Sequence, residues 1–215
     1  MELKYPKISI GIKLMYASWW CALLGVVAGL VGGVAVATFA EAGIVILLEL
    51  AAGILELLMY GLQIVGLYKA GKDKKQYKKV FFMLLAELLI AAAVILATVM
   101  QSYVLILLIG VIGGLACAVL EPLRLCLFVK YTEELVRENG DAGVDGYYKT
   151  IRNCFFISYG GVIIGSIIMG MEIIIWLGLL LIVVALFSAL ALFIFYGIFL
   201  HNTSKFFKIL KETDI

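Results

Sequence analysis

Two long stretches that are almost free of charge constrain this chain more than any other feature. The first runs from Leu14 to Tyr68 and the second from Cys154 to Leu200. Only four charged side chains interrupt them: Glu41, Glu49 and Glu56 in the first, and Glu172 in the second. A membrane-spanning helix needs about 20 mostly apolar residues, so each stretch is long enough to cross a bilayer and return. With 65% hydrophobic and 15% charged residues, the chain has too little polar surface for a soluble domain.

The hydropathy pattern predicts six membrane-spanning helices, over residues 14–37, 44–68, 80–100, 104–129, 153–170 and 173–200. The first apolar run is longer than the h-region of about 7–15 residues in a signal peptide, so we interpret it as the first span. Short turns follow the odd-numbered spans, and polar connections follow the even-numbered ones. We therefore expect an all-α integral membrane protein whose single polytopic domain covers residues 1–215. Three consecutive helical hairpins would form its six-helix transmembrane bundle.

The basic residues predict the orientation of this bundle. All 17 Lys and Arg residues lie before the first span, beside the connections after the second and fourth spans, or after the last, with Arg124 the one that falls within a span, toward the end of the fourth. The opposite turns contain Glu41 and Glu172 but neither Lys nor Arg. By the positive-inside rule, both termini and the basic connections face the cytoplasm. The expected location is the cytoplasmic (plasma) membrane of a bacterial cell.

Polar side chains within the second span form the first candidate site. Glu49, Glu56 and Gln63 are each seven residues apart, nearly two helical turns, so they share one face. A charged side chain at the centre of a spanning helix costs about 2.5–3.5 kcal/mol on insertion scales. These carboxyl groups must therefore meet a partner or a wet cavity, or carry a proton. The stripe is typical of a proton or cation path, or of a seam in which polar side chains bond to neighbouring helices.

Glu87 in the third span and Glu121 and Arg124 in the fourth form the second candidate site. We expect Arg124 to pair with Glu87, Glu121 or both, because an ion pair lowers the cost of burial. In the alternative interpretation, Pro122 ends the fourth span and leaves Glu121 and Arg124 among the lipid headgroups. The predicted spans contain four carboxyl groups, those of Glu49, Glu56, Glu87 and Glu121, and one cation, Arg124. If all five lie in the bilayer, Arg124 cannot offset every carboxylate, so at least one carboxyl group is expected to be neutral.

Small residues spaced by four form ridges that allow close helix packing. The same ridges serve packing within the bundle or packing against another protein, and the pattern does not separate the two. They are Gly25, Gly29 and Gly33 in the first span, Gly110 and Gly114 in the fourth, and Gly161 and Gly165 in the fifth.

No pattern in the sequence indicates an enzyme. The one histidine, His201, lacks the neighbouring ligands that a metal site requires. The four cysteines form no C-x-x-C pair and are interpreted as buried thiols. We predict no catalytic residue, no cofactor, no metal and no nucleic-acid partner.

Two functions fit these observations. The first is a small transporter or channel subunit that moves a cation, a proton or a small solute along the intramembrane carboxylates. The second is a non-catalytic membrane subunit that packs with a membrane partner, or with copies of itself, through its glycine-rich faces and cytoplasmic connections. In size, six spans and inward termini, the chain is similar to the substrate-binding subunits of energy-coupling-factor vitamin transporters. That resemblance is one of architecture, which does not determine function.

Overall fold

The computed structural model describes residues 5–37, 42–100, 103–140, 143–170 and 175–213. Within this part the chain forms six α-helices, each long and apolar enough to cross a membrane. The prediction of an all-helical chain with six helices of spanning length is therefore confirmed. The helices are α1 (Pro6–Ala37), α2 (Ala42–Asp73), α3 (Gln76–Val99), α4 (Tyr103–Glu138), α5 (Tyr147–Gly170) and α6 (Ile175–Thr213).

Helix ends differ from the predicted spans mainly on the side that carries the basic residues. Only Lys74 and Lys75 separate α2 from α3, where the sequence predicted a polar connection from Lys69 to Lys79. Hydropathy marks where a chain leaves the hydrocarbon, whereas lysine remains a good helix former in water. The lysine-rich segment therefore extends both helices and reduces the connection to a tight turn.

The fourth and sixth helices also continue beyond their predicted spans. α4 runs through Pro122 to Glu138, beyond the predicted span, which ended at residue 129. α6 runs to Thr213, beyond the predicted span, which ended at residue 200. The turns predicted after the odd-numbered spans, with Glu41 and Glu172, lie largely outside the described residues.

Buried polar side chains find their partners inside the protein. Thr132 donates its hydroxyl hydrogen to the carbonyl oxygen of Phe128 at 2.8 Å, and Thr203 donates to that of Phe199 at 2.7 Å. Among the described residues, no buried side-chain nitrogen or oxygen lacks a hydrogen-bond partner. Burial requires this wherever the group lies, because an unsatisfied polar group away from water costs free energy.

The chain divides into two compact units, and the first is built around α1 and α2. It also includes the start of α3 through Phe82 and the end of α6 from Phe207. Gly11 and Gly66 bring α1 and α2 together: a Cβ atom added to Gly11 would lie 2.6 Å from the carbonyl oxygen of Gly66. No larger residue fits at Gly11 without separating the helices. The contact continues along both helices, where Gly32 lies beside Leu48.

The second unit comprises Met83–Phe206. Its α5 and α6 approach each other closely at Gly165, where an added Cβ atom would lie 2.9 Å from the carbonyl oxygen of Gly178. Nearer the other end of α5, Ser188 donates a hydrogen bond of 2.8 Å to the carbonyl oxygen of Cys154. Small residues and a hydroxyl group are the usual means of packing helices in a membrane, where the hydrophobic effect does not drive association.

Burial is uneven along the helices. Fully buried apolar side chains gather near the lysine- and arginine-rich ends, as at Ile8, Leu67 and Phe199. Farther along the same apolar helices large side chains are exposed, for example Leu30 and Leu57, with 67% and 75% of their surface accessible. An apolar surface of this extent is unfavourable in water, and it indicates contact with a lipid bilayer.

Two helices receive their N-terminal caps from another helix. Oδ2 of Asp73, the last residue of α2, accepts hydrogen bonds from the amides of Lys7 and Ile8 in the first turn of α1, at 2.8 and 3.0 Å. In the second unit, Glu133 accepts in the same way from the amides of Gly146 (3.2 Å) and Tyr148 (2.8 Å) at the start of α5. Each carboxylate satisfies amides that have no partner within their own helix, and its charge complements the positive end of the helix dipole.

Replacing Asp73 by alanine is expected to lower the free energy of unfolding by about 0.5–2 kcal/mol, the usual cost of losing a helix cap. The measurement is thermal or denaturant-induced unfolding of the full chain in mild detergent. Asp145→Ala is the control, because within the described residues that exposed carboxylate forms neither a hydrogen bond nor an ion pair. Equal losses in the two variants would contradict the capping role.

Candidate functional site

A buried ion pair joins α3 to α4 in the second unit. Nε of Arg124 donates to both Oε1 and Oε2 of Glu87, at 3.0 Å each, and both side chains are only 10% exposed. The ion pair expected between these two residues is therefore present. An isolated charge at this degree of burial is costly, so each of the two charged side chains is tolerated here only because the other is present.

Arg124 reaches this position because α4 does not end at Pro122. Proline lacks an amide hydrogen, so one backbone hydrogen bond of the helix is lost at that point. Membrane helices tolerate such a loss because neighbouring groups satisfy the freed carbonyl. The helix therefore continues, with Glu121 and Arg124 on successive turns of one side. Pro122 therefore does not end the helix, and whether the membrane span itself ends near Pro122, with Glu121 and Arg124 among the headgroups, stays a prediction.

A tyrosine that the sequence analysis overlooked lies beside this pair. Tyr159 on α5 places its hydroxyl group 3.5 Å from Oε2 of Glu121, and its ring stacks on Phe155 with centroids 4.2 Å apart. Glu121 is itself exposed, in contrast to the buried Glu87. A tyrosine within an apolar span needs a polar partner for its hydroxyl group, and that need is the signal that could have identified Tyr159.

Tyr196 on α6 lies near this site. Its ring packs edge-on against Phe128 of α4, one helical turn after Arg124, at a centroid distance of 6.4 Å. Polar side chains of α3, α4 and α5 thus meet at Glu87, Arg124 and Glu121, and a tyrosine of α6 packs one helical turn farther along α4. The site contains one cation, one buried carboxylate that neutralises it, and a second, exposed carboxylate whose partner is a phenol.

The polar stripe of α2 lies in the first unit and has a different environment. Glu49 and Glu56 are exposed and Gln63 is half-buried. Within the described part of the chain, neither carboxylate forms a hydrogen bond or an ion pair. Glu56 borders an open groove of about 280 Å³ between α1 and α2, which we call the Glu56 groove. Its lining residues are Cys21, Ala22, Gly25, Val26, Ala52, Glu56 and Met59.

The glycines predicted to allow close helix packing differ in how closely another helix approaches them. Gly161 and Gly165 contact α6, where a Cβ atom on Gly161 would lie 2.9 Å from Cβ of Ala185. Gly25 is less crowded, since its nearest neighbour would be Cβ of Leu55 at 3.8 Å. At the remaining predicted positions an added Cβ atom would meet no described atom within 4 Å: Gly29, Gly33, Gly110 and Gly114.

Across the described residues, no group of three or more His, Cys, Asp or Glu side chains is placed to hold a metal ion. The four cysteines are free thiols, each partly buried. The charged groups described above are of two kinds. Glu87 and Arg124, on α3 and α4, neutralise each other, whereas the carboxylates of Glu49 and Glu56 on α2 have no partner of opposite charge within the described residues.

The ion pair is expected to behave as one unit in a double-mutant cycle. Glu87→Leu or Arg124→Met alone leaves a buried charge without its partner and should cost about 3–5 kcal/mol of unfolding free energy. The double variant Glu87→Leu/Arg124→Met removes both charges and should recover most of that loss. Reversible unfolding in mixed micelles measures all four forms. Single losses that simply add in the double variant would show that the two side chains act independently.

Comparison of this chain with protein-family models, with curated proteins and with solved structures finds no match. Its function is accordingly inferred from the residues and their geometry.

Proposed function

We propose that this protein is a small membrane transporter or channel subunit that moves a proton, a cation or a small solute by means of intramembrane carboxylates. We further propose that its helices form three consecutive hairpins, with both termini and the basic residues on the cytoplasmic side of a bacterial plasma membrane. All Lys and Arg residues except Arg124 lie toward one set of helix ends, which supports this orientation.

The observation that carries the transport proposal is the position of Glu56. It lies 14 residues after Ala42 and 17 before Asp73 in α2, about 21 and 26 Å from these ends at about 1.5 Å per residue. The hydrocarbon core of a bilayer is about 30 Å thick, so a span centred on this helix holds Glu56 near its middle. An ionisable residue at that depth is rarely retained without a function.

Glu56 is also the carboxylate best able to bind and release a proton or a cation. Glu87 is neutralised by Arg124, and any proton or cation that bound it would have to displace a buried guanidinium. No such partner holds Glu56 within the described residues, and the groove beside it is large enough to admit water or a small cation. Glu49 lies seven residues away on the same face, about 10 Å along the helix, and offers a second step.

Replacing Glu56 by glutamine should abolish flux, because glutamine keeps the size of the side chain but neither ionises nor carries a proton. The full chain is reconstituted in liposomes, and proton flux is followed with an enclosed pH dye, with Na⁺ and K⁺ flux tested in parallel. We expect the flux to be at least tenfold slower, which corresponds to an activation free energy about 1.4 kcal/mol higher.

The control for this experiment is Glu134→Gln. Glu134 belongs to an exposed i,i+4 pair with Lys130 at 3.9 Å, and its loss should leave flux unchanged. Circular dichroism and gel filtration establish that each variant is folded. Undiminished flux through a folded Glu56→Gln protein would remove the transport argument.

A second candidate function is that of a non-catalytic subunit which packs with a membrane partner or with a second copy of this chain. The observation in its favour is that Gly29 and Gly33 of α1 face open space. Glycine is among the poorest helix formers, so an unfilled ridge of glycines has a cost that packing against another helix would offset.

Gly29→Leu/Gly33→Leu tests this candidate, since two leucines would fill the ridge and prevent close approach. If the chain self-associates through α1, its mass in detergent should exceed the monomer mass of 23.5 kDa and fall to that value in the variant. Light scattering after gel filtration measures this mass, and Val34→Leu is the control at a neighbouring exposed position. A wild-type protein that stays monomeric and co-purifies with no partner would count against this function.

A further inference from the structure

The tight turn between α2 and α3 concentrates positive charge at one corner of the first unit. α2 ends at Asp73 and α3 begins at Gln76, so the last turn of one helix directly adjoins the first turn of the next. Six lysines share this corner, which we call the lysine turn: Lys69, Lys72, Lys74, Lys75, Lys78 and Lys79.

The one acidic residue of the lysine turn, Asp73, already accepts hydrogen bonds from another helix. Between Glu56 and Glu87 the sequence has no acidic residue other than Asp73. Its Oδ2 atom accepts the hydrogen bonds from the amides of Lys7 and Ile8 that cap α1. The turn therefore keeps a formal charge of +5, and its one carboxylate is committed to another helix.

Three lysines of the turn present their ammonium groups outward. Lys75, Lys78 and Lys79 are exposed, and within the described residues none of them forms an ion pair or a side-chain hydrogen bond. The stem of Lys78 lies across Gly71, where an added Cβ atom would be 3.0 Å from Cγ of Lys78. The side chain is thus supported along its length while its charged end remains free.

Aromatic residues place the lysine turn at the level of the lipid headgroups. Tyr68 lies one helical turn before Lys72, whose Nζ is 4.5 Å from the centre of the tyrosine ring. Phe81 packs against Tyr68 at 6.0 Å, and Phe82 beside it is 63% exposed. Tyrosine is enriched at the membrane interface, and an exposed phenylalanine favours the acyl chains, so the lysines lie just on the aqueous side of that boundary.

We infer that the lysine turn is a binding site for the phosphate groups of anionic phospholipids, contacted by Lys75, Lys78 and Lys79. Its charge complements the phosphate, and its depth favours a lipid headgroup over a soluble anion. Phe81 and Phe82, close to Lys79 in the sequence, provide apolar contacts for the first part of the acyl chains. This inference stands independently of the proposed transport function, because it uses none of the carboxylates of the spans.

Lipid binding to the full chain in a neutral detergent tests the inference directly. Dioleoylphosphatidylglycerol and dioleoylphosphatidylcholine are titrated separately, and native mass spectrometry counts the lipids retained. A lysine near an anionic lipid contributes about 1 kcal/mol, a factor of about five in affinity. Lys75→Gln/Lys78→Gln/Lys79→Gln should therefore lower the affinity for phosphatidylglycerol by on the order of 100-fold, with little effect on phosphatidylcholine.

Two matched variants separate this site from a general effect of charge. The triple arginine variant at the same positions keeps the charge and should retain phosphatidylglycerol. Arg137→Gln/Lys149→Gln/Lys205→Gln removes as many exposed basic groups from the second unit and should change the affinity by less than tenfold. Equal loss in both glutamine triples would overturn the inference, as would unchanged retention in the first.

Inorganic phosphate distinguishes a lipid site from a site for the free anion. At the same concentration as the lipid it should displace little phosphatidylglycerol, because it lacks the acyl chains that contact the aromatic residues. Full displacement by inorganic phosphate would show that the lysine turn binds phosphate alone. All variants are compared by gel filtration and circular dichroism, so a loss of lipid is scored only for folded protein.

Discussion

The hydrocarbon core of a membrane offers no hydrogen bonds, and the arrangement of this protein depends on that fact. Each backbone amide and carbonyl must find a partner within the chain, which favours long uninterrupted helices. The same requirement explains why α4 continues through Pro122. Beyond the predicted spans, the buried hydroxyl groups of Thr132 and Thr203 still bond to carbonyls of their own helices, because burial alone makes an unpaired polar group costly. Where α1 and α5 begin, carboxylates from other helices provide the missing acceptors.

Charge is treated differently in the two compact units. In Met83–Phe206 the one cation near the middle of α4, Arg124, pairs with Glu87, and this buried pair is electrically neutral, while Glu121 near it is exposed. In the first unit Glu56 borders a groove without a partner among the described residues, and the lysine turn keeps an excess of positive charge. A balanced pair favours a stable scaffold, whereas unbalanced groups attract ligands. The proposals for transport and for lipid binding therefore both fall on the first unit.

The number and positions of the helices could be predicted because apolar runs of this length have no alternative in a protein that faces lipid. The ion pair could also be predicted, since Arg124 is the one cation available to the carboxylates of the spans. Helix ends could not, because lysine-rich segments favour helix in water as well and hydropathy does not register them. The caps from Asp73 and Glu133 could not be predicted either, since they depend on which helix ends meet in space.

The cap on α1 also links the order of synthesis to the order of folding. The ribosome makes the start of α1 first, but the carboxylate that satisfies its amides belongs to residue 73. Until α2 has been translated and has returned to the same side, the first turn of α1 relies on water for its hydrogen bonds. The newly made α1 therefore lacks acceptors for these amides, and α2 supplies them when it arrives. The pair, rather than the single helix, is the smallest part of this chain in which the first amides of α1 are capped.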